Sequence, residues 1–499
     1  MTIITDICSD LDEVVLLNSF FVKKKRHKVY LNKGILLWEL DTNPYTRSTV
    51  SVQDILAVDS WPKDGVSCCS HTEKHTSFKI SYASKKKKNK WKCEDIIFQN
   101  SDQNLVSRWI STLNSFIEAL TSRPKRLMMF VNPYGGKKQG VSIFKNVVKP
   151  LLDVAKIEVD LTITQRPHHA RDTINSSRLQ DFDGIVCIGG DGTFSEVMNA
   201  VLFLAAKEKG VNINNLHTKI PASLVRIGVI PGGSTDSLAY SLHGTCDIQT
   251  AVIHIITGHS TGLDISSVHN GVNFCSFFVT VMAYGFLGDV LKESERFRWL
   301  GPKRYDFAGF FQFIQNKGYE VEITFLKQPI QPAADSKCLR DCKRCQLPQR
   351  DMRKQIELQK WMKVRGKYWN IAATNVSSAC PRSPNGVSPH CHLGDGSIDL
   401  VLVKHGSIFN NLRMLLTVSG KKKSVYDLPF VDVHRTSQLK LVTLPQRCRS
   451  RDVSSWNCDG EVLEEPAVFI QSHRQVLQVF YRGAEQTLSE ARKRRCFCF

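Results

Sequence analysis

The chain has 499 residues, 42% hydrophobic and 23% charged, which suits two to four globular domains. Its 67 Lys and Arg against 47 Asp and Glu leave a net charge of +20. That excess attracts nucleic acid or an anionic membrane surface, and the lack of aromatics interleaved with the basic residues argues against nucleic acid. The longest apolar run, residues 274–287, contains Ser, Thr and Gly and is too short to span a bilayer. Residues 1–12 are acidic and polar, unlike a secretion leader, and sixteen cysteines lack regular spacing. The expectation is a soluble or peripheral protein of a reducing, cytoplasmic compartment.

Short apolar runs alternate with polar residues over 13–100, among them Phe20-Phe21-Val22, Ile35-Leu36-Leu37-Trp38 and Phe78-Lys79-Ile80. They predict a small all-β unit. A helix follows over 103–120, with Leu105, Trp109, Leu113, Phe116 and Leu120 on one stripe. Strands closed by one helix carrying a Trp resemble a pleckstrin-homology domain, here residues 1–122. Two basic clusters, Lys23-Lys24-Lys25-Arg26-His27-Lys28 and Lys85-Lys86-Lys87-Lys88-Asn89-Lys90, fall in its loops. One such run reads as a solvated loop. Two in neighbouring hairpins, at about 1 kcal/mol for each Lys or Arg near an anionic leaflet, point to membrane or phosphoinositide binding through Lys23, Lys24, Lys25, Arg26 and Lys28.

Beyond Pro124 the pattern becomes alternating β and α. Strands are expected at 127–131, 157–164, 184–188 and 227–230, with helices between, so 123–260 reads as a doubly wound parallel α/β unit. Glycine-rich loops follow the first, third and fourth strands: Asn132-Pro133-Tyr134-Gly135-Gly136, Gly189-Gly190-Asp191-Gly192-Thr193 and Pro231-Gly232-Gly233-Ser234-Thr235-Asp236. All three fall on the carboxyl rim, where free backbone N–H groups and helix N-termini suit phosphate. The stretch is neither a P-loop nor G-x-G-x-x-G, because Ser195 stands at the last position. An acid such as Asp191 in a phosphate cradle reads as chemistry, against the plainer reading of a tight turn.

From residue 261 to 481 the chain is strand-rich and reads as a β-sandwich, with the active site in the cleft between the two halves. Cys338-x-x-x-Cys342-x-x-Cys345 has the spacing of an iron–sulfur loop but sits in a basic stretch with no preceding barrel. Zn²⁺ would need a fourth ligand, for which Cys380, His390, Cys391 and His392 are candidates; reduced lid cysteines are the alternative. Residues 408–423 put Ile408, Leu412, Leu415 and Leu416 on one helical face, which reads as a core helix or a calmodulin target. The basic tail, 482–499, ends Cys496-Phe497-Cys498-Phe499, a candidate for prenylation at Cys496 with imperfect middle residues.

The three glycine motifs resemble the diacylglycerol and sphingolipid kinase superfamily. The segments Gly285-Phe286-Leu287-Gly288-Asp289, Arg304-Tyr305-Asp306-Phe307, the cysteine triad, His392-Leu393-Gly394-Asp395-Gly396 and Ser455-Trp456-Asn457-Cys458-Asp459-Gly460-Glu461 narrow it to the ceramide kinases. The resemblance implies transfer of the ATP γ-phosphate to the primary hydroxyl of ceramide on a cytosol-facing membrane, of the Golgi or the cell surface. It also implies regulation by Ca²⁺ and calmodulin.

On that reading Asn132, Gly135, Gly136, Gly189, Gly190, Gly192 and Thr193 hold the nucleotide, with Thr164 and Ser234 beside them. Asp191 takes or orients the substrate proton, with Glu461 as the rival base. Asp395 and Asp459 approach Mg²⁺ through the phosphates; the plain alternative for each is a D-G turn. Asp289 faces the lipid headgroup, supported by Glu295. Sphingosine or diacylglycerol kinase activity, and a non-catalytic ceramide kinase-like lipid binder, remain the alternatives. Retention of Asp191, Asp236, Asp289 and Glu295 favours an enzyme.

Overall fold

The computed structural model describes residues 16–62, 76–86, 89–223, 225–328, 337–348, 360–420, 424–444 and 453–484. Cys496, with residues 485–499, and the lysines at 421–423 and 87–88 lie outside the described residues.

Seven antiparallel strands make the N-terminal sheet, in the order Asn43–Ser51, Ile35–Leu40, Lys25–Asn32, Leu16–Val22, Trp91–Asn100, Thr76–Lys85 and Ile55–Trp61. The helix Gln103–Glu118 closes it. Asp102 starts this helix by accepting from the amides of Asn104 (2.9 Å) and Leu105 (3.1 Å). Val106, Trp109, Leu113 and Phe116 form its buried stripe, whereas Leu105 and Leu120 are half-buried. Trp109 packs edge-on against Phe20 and donates its ring N–H to Asn18 Oδ1 at 2.9 Å.

Phe21 pairs antiparallel with Gln99, so the turn after Val22 and the turn before Trp91 open in the same direction. The first turn is tight: Val22 opposes Lys25, and Lys23 and Lys24 both have positive φ, 48° and 64°. L residues with side chains pay for that conformation, and the sequence puts lysine there rather than glycine. The second turn is seated on the next domain, where the Trp91 amide donates to Thr250 Oγ1 at 2.9 Å.

The nucleotide half is a parallel sheet in the order Glu158–Ile163, Arg126–Val131, Gly184–Gly189 and Arg226–Pro231. Successive side chains point to opposite faces. Met128, Phe130, Ile185 and Cys187 pack on one side with the helix Asp191–Glu208. Leu127, Met129, Val131, Val186 and Ile188 pack on the other with Val148, Leu152 and the helix Ile248–Thr257. Burial on both faces is what a run of unbroken apolar residues demands.

This sheet does not end within residues 123–260. The strand Ala467–Phe480, expected in the C-terminal half, adds beside Arg226–Pro231 in parallel, pairing Gln478 with Arg226 and Val479 with Ile227. Nearly its whole length pairs antiparallel with Ser260–His269, and its earlier residues pair antiparallel with Val431–Thr443. One strand therefore joins the two halves into a single 14-stranded sheet.

The C-terminal half has two layers because two long strands change partners midway. Lys360–Thr374 pairs with Tyr319–Lys327 through Tyr368, then with Ile398–Lys404. Val431–Thr443 does the same around Thr436. Ile323, Phe325, Leu400, Leu402, Leu439, Trp456 and Ile470 fill the interior. On the outer face Val401 and Val403 are covered by the helix Ile408–Ser419 through Met414. The face of this helix carrying Leu412 and Leu416 is not in the core: both are exposed, with Phe409 at 76% exposure beside them.

Candidate active site

The three glycine loops meet. A Cβ on Gly136 would lie 2.6 Å from the carbonyl carbon of Gly233, and one on Gly233 would lie 2.4 Å from the Cα of Gly190. Both approaches exclude any side chain. Gly136 also has φ +53°. Gly192, at the start of the helix Asp191–Glu208, has nothing within 4 Å of where its Cβ would be. Backbone is thus pressed together behind an open space bordered by the first amides of a helix, the arrangement that binds phosphate.

Asn132 braces this cradle. Its Nδ2 donates to Thr193 Oγ1 at 3.0 Å, and its Oδ1 accepts from the amides of Tyr134 (2.9 Å) and Gly135 (3.1 Å). Gly189 is required behind it, since a Cβ there would sit 2.5 Å from Thr193 Oγ1. Thr164 is buried at the back, donating to the Val131 carbonyl at 3.3 Å, while Ser234 is exposed on the third loop.

Asp191 links two of the loops. Its carboxylate accepts from the amides of Ser237 and Leu238, both at 3.0 Å, and so fixes the start of the helix Ser237–His243. Burial pushes its carboxyl above the ordinary range, against the pull of those amides. The Ser237 side chain adds a third hydrogen bond to the same carboxylate. Beside it Asp236, in a left-handed conformation, accepts from the Gly233 amide at 2.8 Å, and burial raises it to about 6, with the Asp191 charge adding to the rise. Asp191 was legible as an acid in a phosphate cradle, Asp236 only as the last residue of a glycine motif.

Asp289 stands in the first turn of the helix Phe286–Ser294. It accepts from Ser454 Oγ at 2.7 Å and from the Tyr319 hydroxyl. Burial raises its carboxyl, and these two hydroxyls oppose the rise. Gly288 is obligatory here because a Cβ would lie 1.9 Å from the Ser455 carbonyl. Neither Tyr319 nor Ser454 carries a sequence signal tying it to Asp289. Glu295 pairs with Arg304 at 3.1 Å, holding the turn between two helices.

Two acids expected near Mg²⁺ are otherwise engaged. Asp459 is buried and accepts from the amides of Val279 (2.6 Å), Thr280 (2.9 Å) and Val281 (3.0 Å) and from the Thr280 hydroxyl. Three of these donors meet Oδ1 and one meets Oδ2, although burial still raises the carboxyl to about 6. It positions the hairpin of Trp456–Cys458 and Glu461–Leu463 against a segment gripped by Asn199, whose amide bonds both backbone groups of Phe277. Asp395 is buried too, between Arg344 (2.6 Å) and Arg435 (3.4 Å), with the Ser397 amide on its other oxygen. It belongs to an ionic cluster with Asp399 and Arg435, and two guanidiniums leave no charge for a metal. Glu461, by contrast, is exposed.

The cysteine triad gathers around one imidazole: Cys338, Cys342, Cys345 and His392 have ligand atoms all within 4.8 Å of one another. Cys380, Cys391 and His390 stand elsewhere; the Cys391 thiol, for example, donates to the Thr374 carbonyl at 3.2 Å. Near Asp289, the helix Arg304–Gln315 exposes Phe307, Phe310, Phe311 and Ile314, and Asn316 at its end accepts from the Asn411 side chain at 2.6 Å. That bond joins the end of this helix to the buried face of the helix Ile408–Ser419. Among the described residues no helix is long and apolar enough to cross a membrane.

Known proteins match this arrangement in three parts. Residues 16–113 match the ceramide kinase PH domain, 126–268 the diacylglycerol kinase catalytic domain and 280–499 the ceramide kinase C-terminal domain. A ceramide kinase of Homo sapiens is 34% identical over 93% of this chain and 96% of its own length. One of Mus musculus is 35% identical over 93% and 97%. The ceramide kinase-like protein of Homo sapiens is 27% identical over 81% and 77%. With relatives of 34–35% identity over 93% of its length, the chain belongs to the ceramide kinase family.

Proposed function

We propose that the chain transfers the γ-phosphate of ATP to the primary hydroxyl of ceramide, giving ceramide 1-phosphate. The observation that carries this is the contact of Gly136, Gly190 and Gly233 behind the open space at Gly192, with Asp191 at its edge. The lipid oxygen attacks the γ-phosphorus, its proton passes to a carboxylate, and ADP leaves. Asn132, Gly135, Gly136, Gly189, Gly190, Gly192, Thr193 and Ser234 seat the phosphates, with Thr164 as backing. Asp191 takes the proton: two amides fix its orientation, and burial raises its basicity. Glu461 is the competing acceptor. Asp236, beside Asp191, would hold Mg²⁺, which would supply charge neutralisation on the phosphates. Asp289, held by Tyr319 and Ser454, receives the headgroup.

The exposed apolar stripes of 304–315 and 408–419 support contact with two acyl chains, and the basic turn Lys23–Lys25 supports contact with anionic lipid or phosphoinositide. The protein is then peripheral on a cytosol-facing membrane. The exposed Phe409, Leu412 and Leu416 stripe also fits a calmodulin groove, as a second reading. A tetrahedral metal at the cysteine triad belongs to the same reading, away from the transfer.

The test offers ATP with ceramide, sphingosine and diacylglycerol in parallel. Ceramide is expected to be phosphorylated, and Asp191→Asn to lower kcat by about 10²–10⁴-fold. Glu461→Gln producing that loss instead, with Asp191→Asn near wild type, reverses the two roles. Transfer to another lipid alone overturns the substrate, and transfer to none returns the lipid-binding reading.

A further inference from the structure

A buried imidazole needs a polar partner, and His392 has only sulfur. Its Nδ1 lies 3.2 Å from Cys342 Sγ and 4.0 Å from Cys345 Sγ, and Cys338 Sγ lies 3.7 Å from Cys345 Sγ. Its Nε2 is buried without a partner among the described residues. A zinc ion with Zn–S bonds of about 2.3 Å and Zn–N of about 2.0 Å sets tetrahedral edges of roughly 3.5–3.8 Å. The observed separations bracket that value. An iron–sulfur cluster needs its ligands spread round several atoms, and ligand atoms all within 4.8 Å leave room for one ion. Thiolate and imidazole donors favour zinc over the hard cations Mg²⁺ and Ca²⁺.

We infer that Cys338, Cys342, Cys345 and His392 bind one zinc ion as a closed structural site. The surroundings are built to hold both ligand-bearing loops. Gln475 Nε2 donates to the carbonyls of Cys345 and Gly394, each at 2.7 Å. Arg474 donates to the carbonyls of Cys345 (3.1 Å), Leu347 (2.8 Å) and Gly394 (3.2 Å). Arg344, between the second and third cysteines, reaches Asp395 at 2.6 Å. Three thiolates leave the zinc site one negative charge, and Arg344 and Arg474 border it. Because Arg474 and Gln475 sit on Ala467–Phe480, the ion staples two loops to the strand shared by both halves. A cavity of about 880 Å³, lined by the three cysteines with Lys219, Arg340 and Arg474, gives access from solvent.

The test measures metal in the purified full-length protein, expressed with zinc in the medium, by mass spectrometry. About one zinc per chain is expected. Exchange with Co²⁺ should give the visible bands of a tetrahedral thiolate site. His392→Ala and Cys342→Ser should each lower zinc content at least tenfold, and His392→Cys should restore it as a four-thiolate site. Wild-type protein below a tenth of a zinc per chain overturns the inference, as does His392→Ala or Cys342→Ser protein that keeps its full zinc. If either variant is insoluble, release of zinc from wild type by a mercurial reagent, with three thiols titrated per ion, decides the matter.

Discussion

A methyl group at Gly233 would lie 2.4 Å from the Cα of Gly190, whereas one at Gly192 would meet nothing within 4 Å. The two positions therefore separate folding from binding. Gly233→Ala is expected to force the loops apart at a cost of about 1–3 kcal/mol, lowering the melting temperature as well as activity. Gly192→Ala should leave the melting temperature unchanged while raising the KM for ATP about tenfold or more, because its methyl occupies phosphate space. Equal effects of both on melting would contradict the cradle. Glycine chemistry of this kind is legible in a sequence because it is local. The fate of Asp395 and Asp459 was not: a D-G pair reads the same whether its carboxylate faces a metal or accepts four donors inside the fold. Likewise His392 stood among four candidate ligands until tertiary packing brought it to the triad.

At the scale of elements, period and punctuation revealed the wound sheet, and the helix over 103–118 followed its stripe. The helix Ile408–Ser419 did not follow its apolar face. Asn411, Met414 and Thr417 are buried while Phe409, Leu412 and Leu416 are exposed, because the face that meets Val401 and Val403 is fixed by the sheet beneath. Hydrophobicity alone cannot choose between two faces that both carry large side chains. Replacing Phe409, Leu412 and Leu416 together by Ser should cut binding to ceramide-bearing vesicles several-fold, measured by flotation, with little change in thermal stability. Unaltered flotation would remove this helix from the membrane contact. Neutralising Lys23, Lys24 and Lys25 should release the protein from anionic but not neutral vesicles, at about 1 kcal/mol for each charge.

For the molecule as a whole, buried histidines set part of the pH response. His243 and His254 face each other at 3.1 Å between the Ser237–His243 and Ile248–Thr257 helices. Burial lowers His243 from 6.5 to about 4 and His254 well below its usual value. The unfolded chain then binds more protons between those limits, so their contribution is full above pH 6.5 and falls as pH drops toward 4. His243→Gln should flatten the unfolding free energy over that interval by about 3 kcal/mol at most. Asp236 and Asp459, raised to about 6, act in the opposite sense as pH rises, so the difference between variant and parent is the quantity to measure.

The strand Ala467–Phe480 has a consequence for how this chain is made. Ser223 N donates to the Val476 carbonyl at 2.8 Å, and a Cβ on Gly184 would lie 2.6 Å from the Phe480 ring. The earlier half thus keeps an open seat for residues synthesised more than two hundred positions later. Until they emerge from the ribosome, the Arg226–Pro231 edge is bare and sticky. That edge stays unpaired through nearly half of translation, and a premature stop before residue 467 disables the ATP-facing half as surely as the lipid-facing one.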